Sequence, residues 1–534
     1  MIRILNLVRK SCAVKLWQLP VLAFCFIGCS GNLPEGYDQA SPSLQADAVT
    51  LSIDASETYQ TIDNFGASDA WACQFVGNWP IEKRNAIADL LFSTDTVSNG
   101  QPEGIGLSLW RFNIGAGSAQ QGEQSGIRDE WRRAESFLEE DGNYNWQRQA
   151  GQVWFLKAAQ ERGVNKFLAF PNSPPVNLTK NGKAFASDAT PNLVPERYSA
   201  YADYLADVIQ GVERAQGISF GYISPVNEPQ WDWSDGEQEG TPFMNENIAG
   251  IVKALNTSLE RRNLNTKIDI AEAGKIDYLY TTADKPNRGN QIEAFFSSSS
   301  PYNIGNLSHT SKVISAHSYF TTSPFDKAVA ERKKLAEKVA SVPGLEFWMS
   351  EYCILGDNAG EIDGNKRNLG IDPAIYLARV IHNDLTVANA TAWQWWLAVS
   401  PYDYKDGLVY VDKNKADGEY YESKMLWALG NYSRFIRPGA VRVSAQLAGA
   451  KAKDNMLLAS SYIDTPGNQL ITVAVNAEIE PVKIKLNAKG ANIASIRPYV
   501  TTADENLKPG DLTNSKSEII LAPRSVTTLV ARLQ

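Results

Sequence analysis

The feature that most limits what this chain can fold into is the order of its apolar runs. Eight short β-like stretches recur at Asn64–Trp71, Leu107–Gly115, Lys166–Pro171, Gly221–Asn227, Lys267–Ala273, Val313–Tyr319, Phe347–Tyr352 and Ala390–Trp396. Segments of helical spacing separate them. Leu205, Val208, Ile209 and Val212 fall on one helix face that stops at Gly217; Ile248, Ile251, Val252, Leu255 and Leu259 repeat the pattern, as do Leu377, Ala378, Ile381 and Leu385. Strands joined by helices run parallel, because each crossover returns the chain to the same end of the sheet. Eight such units predict an α/β fold, a closed (β/α)8 TIM barrel over residues 63–436, with its chemistry at the C-terminal ends of the strands.

The texture changes after Arg437-Pro438-Gly439. Met456–Tyr462, Gln469–Val475, Val482–Leu486, Ile496–Val500 and Val526–Leu533 are short β-like runs divided by turn residues, which predicts an all-β sandwich side domain over 437–534. The run Val49–Ile53 is strand-like too. Residues 49–62 are therefore expected to join that module and bring the two ends of the folded chain together.

At the N-terminus Arg3, Arg9, Lys10 and Lys15 lead into an apolar stretch from Leu16 to Gly28, too short and interrupted to span a membrane, so residues 1–28 read as an export leader. Phe26-Ile27-Gly28-Cys29 resembles a bacterial lipoprotein box, with Phe26 departing from the usual leucine. It predicts lipidation at Cys29 and an exported protein anchored at the outer membrane or cell surface, a periplasmic or freely secreted protein being the alternative. Residues 29–48, rich in Ser, Gly, Pro, Gln and Asp, are expected to be a flexible tether. Beyond Cys29 only Cys73 and Cys353 remain, which is no disulfide framework; two buried thiols are expected rather than a bridge. With 60 acidic against 51 basic residues the surface does not attract a phosphate backbone, so nucleic acid is not an expected partner. Contact with a membrane is expected only through the lipid anchor.

Two strand ends carry carboxylates. Ser224-Pro225-Val226-Asn227-Glu228-Pro229 follows the fourth strand, and Trp348-Met349-Ser350-Glu351-Tyr352 closes the seventh. Cleaving a glycosidic bond needs one carboxyl to protonate the leaving oxygen and another to attack the anomeric carbon or activate water against it, and a barrel can aim both into one cleft. One of the pair has to be ionised for this and the other protonated, so a cation is expected beside the ionised one; Arg111, at the end of the second strand, is the candidate. His317 and Tyr319 alternate along the sixth strand and are expected to point into the same mouth. Flat indoles stack on the apolar faces of sugars, and Trp71, Trp79, Trp231, Trp233 and Trp396 fall in or near rim loops. Trp395 and Trp396 are adjacent on a strand, so only one of them can face the mouth. With three histidines, no metal-ligand spacing and no dinucleotide fingerprint, no metal or cofactor is expected.

Asn64-Phe65-Gly66-Ala67-Ser68, Trp110-Arg111-Phe112-Asn113-Ile114-Gly115, the segments around both glutamates and Ala522-Pro523-Arg524-Ser525-Val526 together resemble the retaining hydrolases of clan A, and most closely glycoside hydrolase family 30. The likeness runs from about Ile62 to the end of the chain. It implies a barrel carrying a β-sandwich built from the C-terminus and a little of the N-terminus. It also implies Glu228 as acid/base, Glu351 as nucleophile, Asn227 as a ligand for the sugar 2-hydroxyl, and Trp396 at the mouth. Trp110–Gly117 with Asn172-Ser173-Pro174-Pro175 looks nearest to the endo-β-1,6-galactanase branch, while xylanases, β-1,6-glucanases and exo-glycosidases share the same carboxylate pair. The competing classes are a cell-surface glycan-binding lipoprotein without turnover and an adhesion scaffold working through its β-module.

Overall fold

The structure, a computed structural model, describes residues 49–449, 455–514 and 518–534. The leader, Cys29 and the tether therefore lie outside the described residues.

The chain enters through β1 (Val49–Thr61) and then lays down β2 (Asn64–Ser68), β3 (Leu109–Asn113), β4 (Lys166–Phe170), β5 (Tyr222–Ile223), β6 (Lys267–Ala273), β7 (Thr310–His317), β8 (Glu346–Tyr352) and β9 (Ala392–Ser400). From β2 to β9 each strand pairs in parallel with the next, and β9 pairs with both β8 and β2, so the eight-stranded sheet closes on itself. Helices fill the connections. In Tyr198–Gln216 the predicted stripe of Leu205, Val208, Ile209 and Val212 is buried, and Gly217 ends the helix at φ +70°, a conformation in which a side chain would be strained.

Several strands differ from expectation at their ends, β2 stopping at Ser68 and β3 spanning only Leu109–Asn113, and two of the departures bear on the site. Only Tyr222 and Ile223 pair in β5 rather than Gly221–Asn227, because Pro225 has no N–H for the ladder. The last barrel strand runs on to Ser400, and β10 (Gly407–Val411) and β11 (Tyr420–Glu422) extend the sheet beside it before helix Lys424–Ser433. The apolar runs suggest no element between Trp396 and Arg437.

The second region holds β12 (Val441–Ala448), β13 (Leu457–Asp464), β14 (Gln469–Asn476), β15 (Val482–Lys489), β16 (Ile493–Thr501), β17 (Lys508–Pro509), β18 (Ile519–Leu521) and β19 (Ser525–Leu533). With β1 they hydrogen-bond in the order β17-β16-β19-β14-β13-β12-β1-β15-β18, and the series folds over a single apolar core as a β-sandwich. Strand β1 sits inside it, antiparallel to β12 and parallel to β15, with Leu51 opposite both Leu447 and Leu486. Alternation along β14 serves two cores: Leu470 and Ala474 face into the sandwich, while Ile471, Val473 and Val475 join the barrel's core. Cys73 and Cys353 are separate buried thiols.

Candidate active site

The site is assembled from strand ends whose regular pairing breaks where side chains must be aimed. Register shifts interrupt β7 against β8 between Ala316 and His317, β8 against β9 between Met349 and Tyr352, and β2 against β9 between Ala67 and Ser68. Such irregularities turn neighbouring side chains out of strict alternation. One consequence is that His317 comes to lie directly beside Glu351.

Glu228 reaches the cleft on the segment that leaves β5. That segment is tied down by hydrogen bonds other than ladder bonds: the Tyr201 hydroxyl donates to Pro225 O at 2.7 Å, Glu228 N to Glu272 O at 2.8 Å, and Trp233 Nε1 to Glu228 O at 3.0 Å. Its backbone is left-handed, φ +44°, which is uncommon for a side chain of this size.

The cations sit between the carboxylates. Arg111 is fully buried, its guanidinium 3.6 Å from the centroid of the Phe170 ring. It donates through Nη1 to Glu351 Oε2 at 2.5 Å and through Nη2 to Asn227 Oδ1 at 3.0 Å, and Nη2 lies 3.3 Å from Glu272 Oε1. Asn227 Nδ2 donates to Asn172 Oδ1 at 3.0 Å, which fixes the orientation of the Asn227 amide. His317 is equally buried: Nδ1 is 2.9 Å from Glu228 Oε1 and 3.5 Å from Glu351 Oε1, and Nε2 is 3.1 Å from Glu272 Oε2. Tyr319 donates its hydroxyl to Glu351 Oε1 at 3.0 Å.

Burial and charge pull these groups in opposite directions. Burial works against the imidazolium, but the Glu351 carboxylate and the hydrogen bonds to Glu228 and Glu272 outweigh it and raise His317 to about 10. Burial also works against the Glu272 anion, yet Arg111 first and His317 next hold it down to about 2. Glu351 is raised by burial while His317 and Arg111 oppose the rise. Behind them Asp269 is lifted to about 7, by burial and then by the Glu272 charge. Glu228, His317 and Glu351 present atoms within 4.8 Å of one another, a spacing that also suits a small cation. In the structure the trio is joined by hydrogen bonding, with His317 Nδ1 between the two carboxylates.

Of the residues expected here, Glu228, Glu351, Arg111, Asn227, His317 and Tyr319 are brought together. Trp396 packs edge-on against Trp71, centroids 5.4 Å apart, with Arg111 5.8 Å from the Trp396 ring. Trp395 faces away and donates to Asp406 O. Trp231 is half-buried near Phe320 and Tyr278. Trp79 is not at the rim at all: it is a core side chain that donates to Asn414 O. The residue that sequence reasoning misses is Glu272, which links Arg111 and His317 and accepts from Ser224 and Ser350. A signal for it exists, since Asp269 and Glu272 are acids in an otherwise apolar buried strand.

The family model of the O-glycosyl hydrolases of family 30 matches residues 48–410. The chain belongs to that family. Among family 30 hydrolases and their relatives it is 27% identical over 410 residues to an endo-β-1,6-galactanase of Hypocrea rufa, covering 73% of this chain and 75% of that protein. It is 24% identical over 520 residues to the glucuronoxylanase XynC of Bacillus subtilis, covering 96% and 97% of the two chains. A crystal structure of a conserved exported protein from Bacteroides fragilis superimposes with a TM-score of 0.83 at 36% identity, covering 90% of this chain and all of that one. This family 30 member is an O-glycoside hydrolase.

Proposed function

We propose that the enzyme is a retaining endo-hydrolase of a β-linked polysaccharide, of the β-1,6-galactanase type, with Glu228 as acid/base and Glu351 as nucleophile. The observation that carries the reading is that carboxylate oxygens of the two residues approach within 4.8 Å. Retaining enzymes keep their carboxyls ~5–5.5 Å apart, whereas inverting ones need ~6.5–9.5 Å to admit a water.

Charge balance supports the division of roles. The buried cluster has two cations, Arg111 and His317, and three carboxyls. Glu272 touches both cations and Glu351 touches both, while Glu228 touches only His317, so Glu228 is the carboxyl with the least cationic support. In the first step Glu351 Oε attacks the anomeric carbon, the glycosidic bond breaks, and Glu228 passes its proton to the departing oxygen. In the second, Glu228 takes a proton from water, whose oxygen displaces Glu351 and restores the original configuration. Tyr319 and Arg111 hold the attacking carboxylate in place throughout.

The galactanase relative supports the choice of substrate; the test is to digest β-1,6-galactan and glucuronoxylan, follow products by size, and observe the anomer first formed by NMR. Release of β-configured oligosaccharides from galactan is expected. An α-anomer as first product would overturn retention, and activity on xylan alone would overturn the substrate. We further infer export with a lipid on Cys29; metabolic labelling with a radioactive fatty acid is expected to mark the wild type and not C29A.

A further inference from the structure

One side chain at the mouth has no part in the chemistry above. Phe320 follows Tyr319, whose hydroxyl bonds Glu351, and it is 42% exposed, the only phenylalanine among the exposed large apolar residues described. Its ring lies edge-on to Trp231, centroids 6.2 Å apart at 90°, and a side chain at Gly356 would come within 3.7 Å of it. It thus sits where the loops after β5, β7 and β8 converge.

Its backbone is held in a conformation that phenylalanine avoids, φ +60°. The clamp lies beneath. Arg332, fully buried, pairs through Nε with Asp384 at 2.6 Å, donates from Nη1 to Thr321 O at 2.7 Å, and reaches Ser318 Oγ from Nη2 at 3.1 Å. Trp393 Nε1 donates to the other Asp384 oxygen at 2.9 Å. A buried ion pair therefore grips the residues on either side of Phe320 and leaves its ring facing solvent. An exposed phenyl on a disfavoured backbone is retained at a cost in folding free energy, which points to a ligand.

Trp231 is three residues from Glu228 on the same segment, and Gly274 leaves room for its indole, which a side chain there would meet at 2.5 Å. The other aromatic wall, Trp396 within β9 with Trp71 after β2 and Tyr402 after β9, abuts Arg111, which holds Glu351. We propose that Phe320, braced edge-on by Trp231, forms a stacking platform for the sugar on the leaving-group side of the scissile bond, a neutral pyranose that presents a face of axial C–H groups. The group that protonates the leaving oxygen and the ring beyond that oxygen then lie on one side of the cleft, and the Trp71–Trp396 wall serves the sugar that is transferred.

The inference rests on Glu228 being the proton donor, and the two fail separately. The test compares, for wild type and F320A, kcat/KM on a tetrasaccharide and on the disaccharide fluoride of the same series, whose leaving group has no ring. The series used is whichever of the β-1,6-galacto-, β-1,6-gluco- or β-1,4-xylo-saccharides the wild type cleaves best. The ratio of tetrasaccharide to fluoride is expected to fall about 10-fold in F320A and to return in F320W, the size of effect expected when one aromatic ring is taken away from a sugar face. An equal fall on both substrates, or no fall on either, would overturn the platform. Independently, E228A is expected to keep most of its kcat/KM on the fluoride, whose departure needs no acid, while kcat falls because water has lost its base, and to yield a glycosyl azide when azide is added; absence of that product would overturn the donor and leave the Phe320 ratio to stand or fall alone.

Discussion

In the sandwich, Val49, Leu51, Leu457, Leu470, Val482, Ile484 and Leu529 pack together, and among the described residues of that region no carboxylate is buried. The barrel, built from strands of similar length, buries Asp69, Glu228, Glu239, Asp269, Glu272, Glu351, Asp384 and Asp406. Taking a charge out of water is costly unless it is paired and hydrogen-bonded, so a region with only a structural task has no reason to do so. Some of these acids are paired with buried cations, Glu351 and Glu272 with Arg111 and His317, and Asp384 with Arg332, while Asp69, Glu239, Asp269 and Asp406 rest on neutral donors. Among the described residues, buried carboxylates are thus confined to the barrel, the sandwich burying a charge only at Arg442. Of the paired acids, one set lines the reacting atoms and another fixes a loop at their rim.

Exchanges in the two regions are therefore expected to separate activity from stability. The largest effect is that of E351Q, which removes the oxygen anion proposed to attack, at little change in shape. Loss of kcat on the order of 10^4-fold is expected, as for removal of a nucleophile elsewhere. Substantial residual activity would remove Glu351 from its role. E272Q comes next. Removing one partner from a buried charge cluster costs about 3–5 kcal/mol, so urea unfolding should show a loss of that order together with a fall in kcat. A fully active, equally stable E272Q would mean that the cations do not depend on it.

Leu470→Ala, in the sandwich core, is expected to lower stability by about 2–4 kcal/mol through the apolar surface removed and the cavity left behind, while kcat measured well below the unfolding range stays unchanged. A lower kcat there would show that the sandwich reaches the chemistry. The last effect is a pH dependence. His317 is raised to about 10 in the folded protein against roughly 6.5 in an unfolded chain. The folded state thus binds that proton more tightly. Its contribution to stability is complete below about pH 6.5 and fades as pH rises toward 10. Thermal midpoints followed from pH 6.5 to 10 should fall in the wild type and more shallowly in H317Q; equal slopes would exclude His317 as the group responsible.

Much of the fold is legible in the sequence because its signals are periodic or sit at strand ends. The eight barrel strands follow from apolar runs, and Glu228 and Glu351 from their positions after the fourth and seventh. Glu272 lies at a strand end too, but its importance comes from Arg111 and His317 converging on it, and those residues are remote in sequence. Strands β10 and β11 are short and partly polar, so nothing in their composition separates them from loop. Phe320 escapes notice for a different reason. Its conformation is dictated by Arg332 and Asp384, one on the next helix and one before the last barrel strand, and no local pattern reports a grip from below.

The placement of β1 between β12 and β15 carries a consequence for biogenesis. The first described strand leaves the ribosome early, but both of its hydrogen-bonding partners lie beyond Val441, and at ~5–20 residues per second the wait is on the order of tens of seconds. Throughout that interval Leu51 and Ile53 have no sheet to enter. Completion of the native fold is thereby postponed until the tail of the polypeptide arrives, which keeps the emerging chain open to capture by chaperones or a translocation channel while it is still threadable.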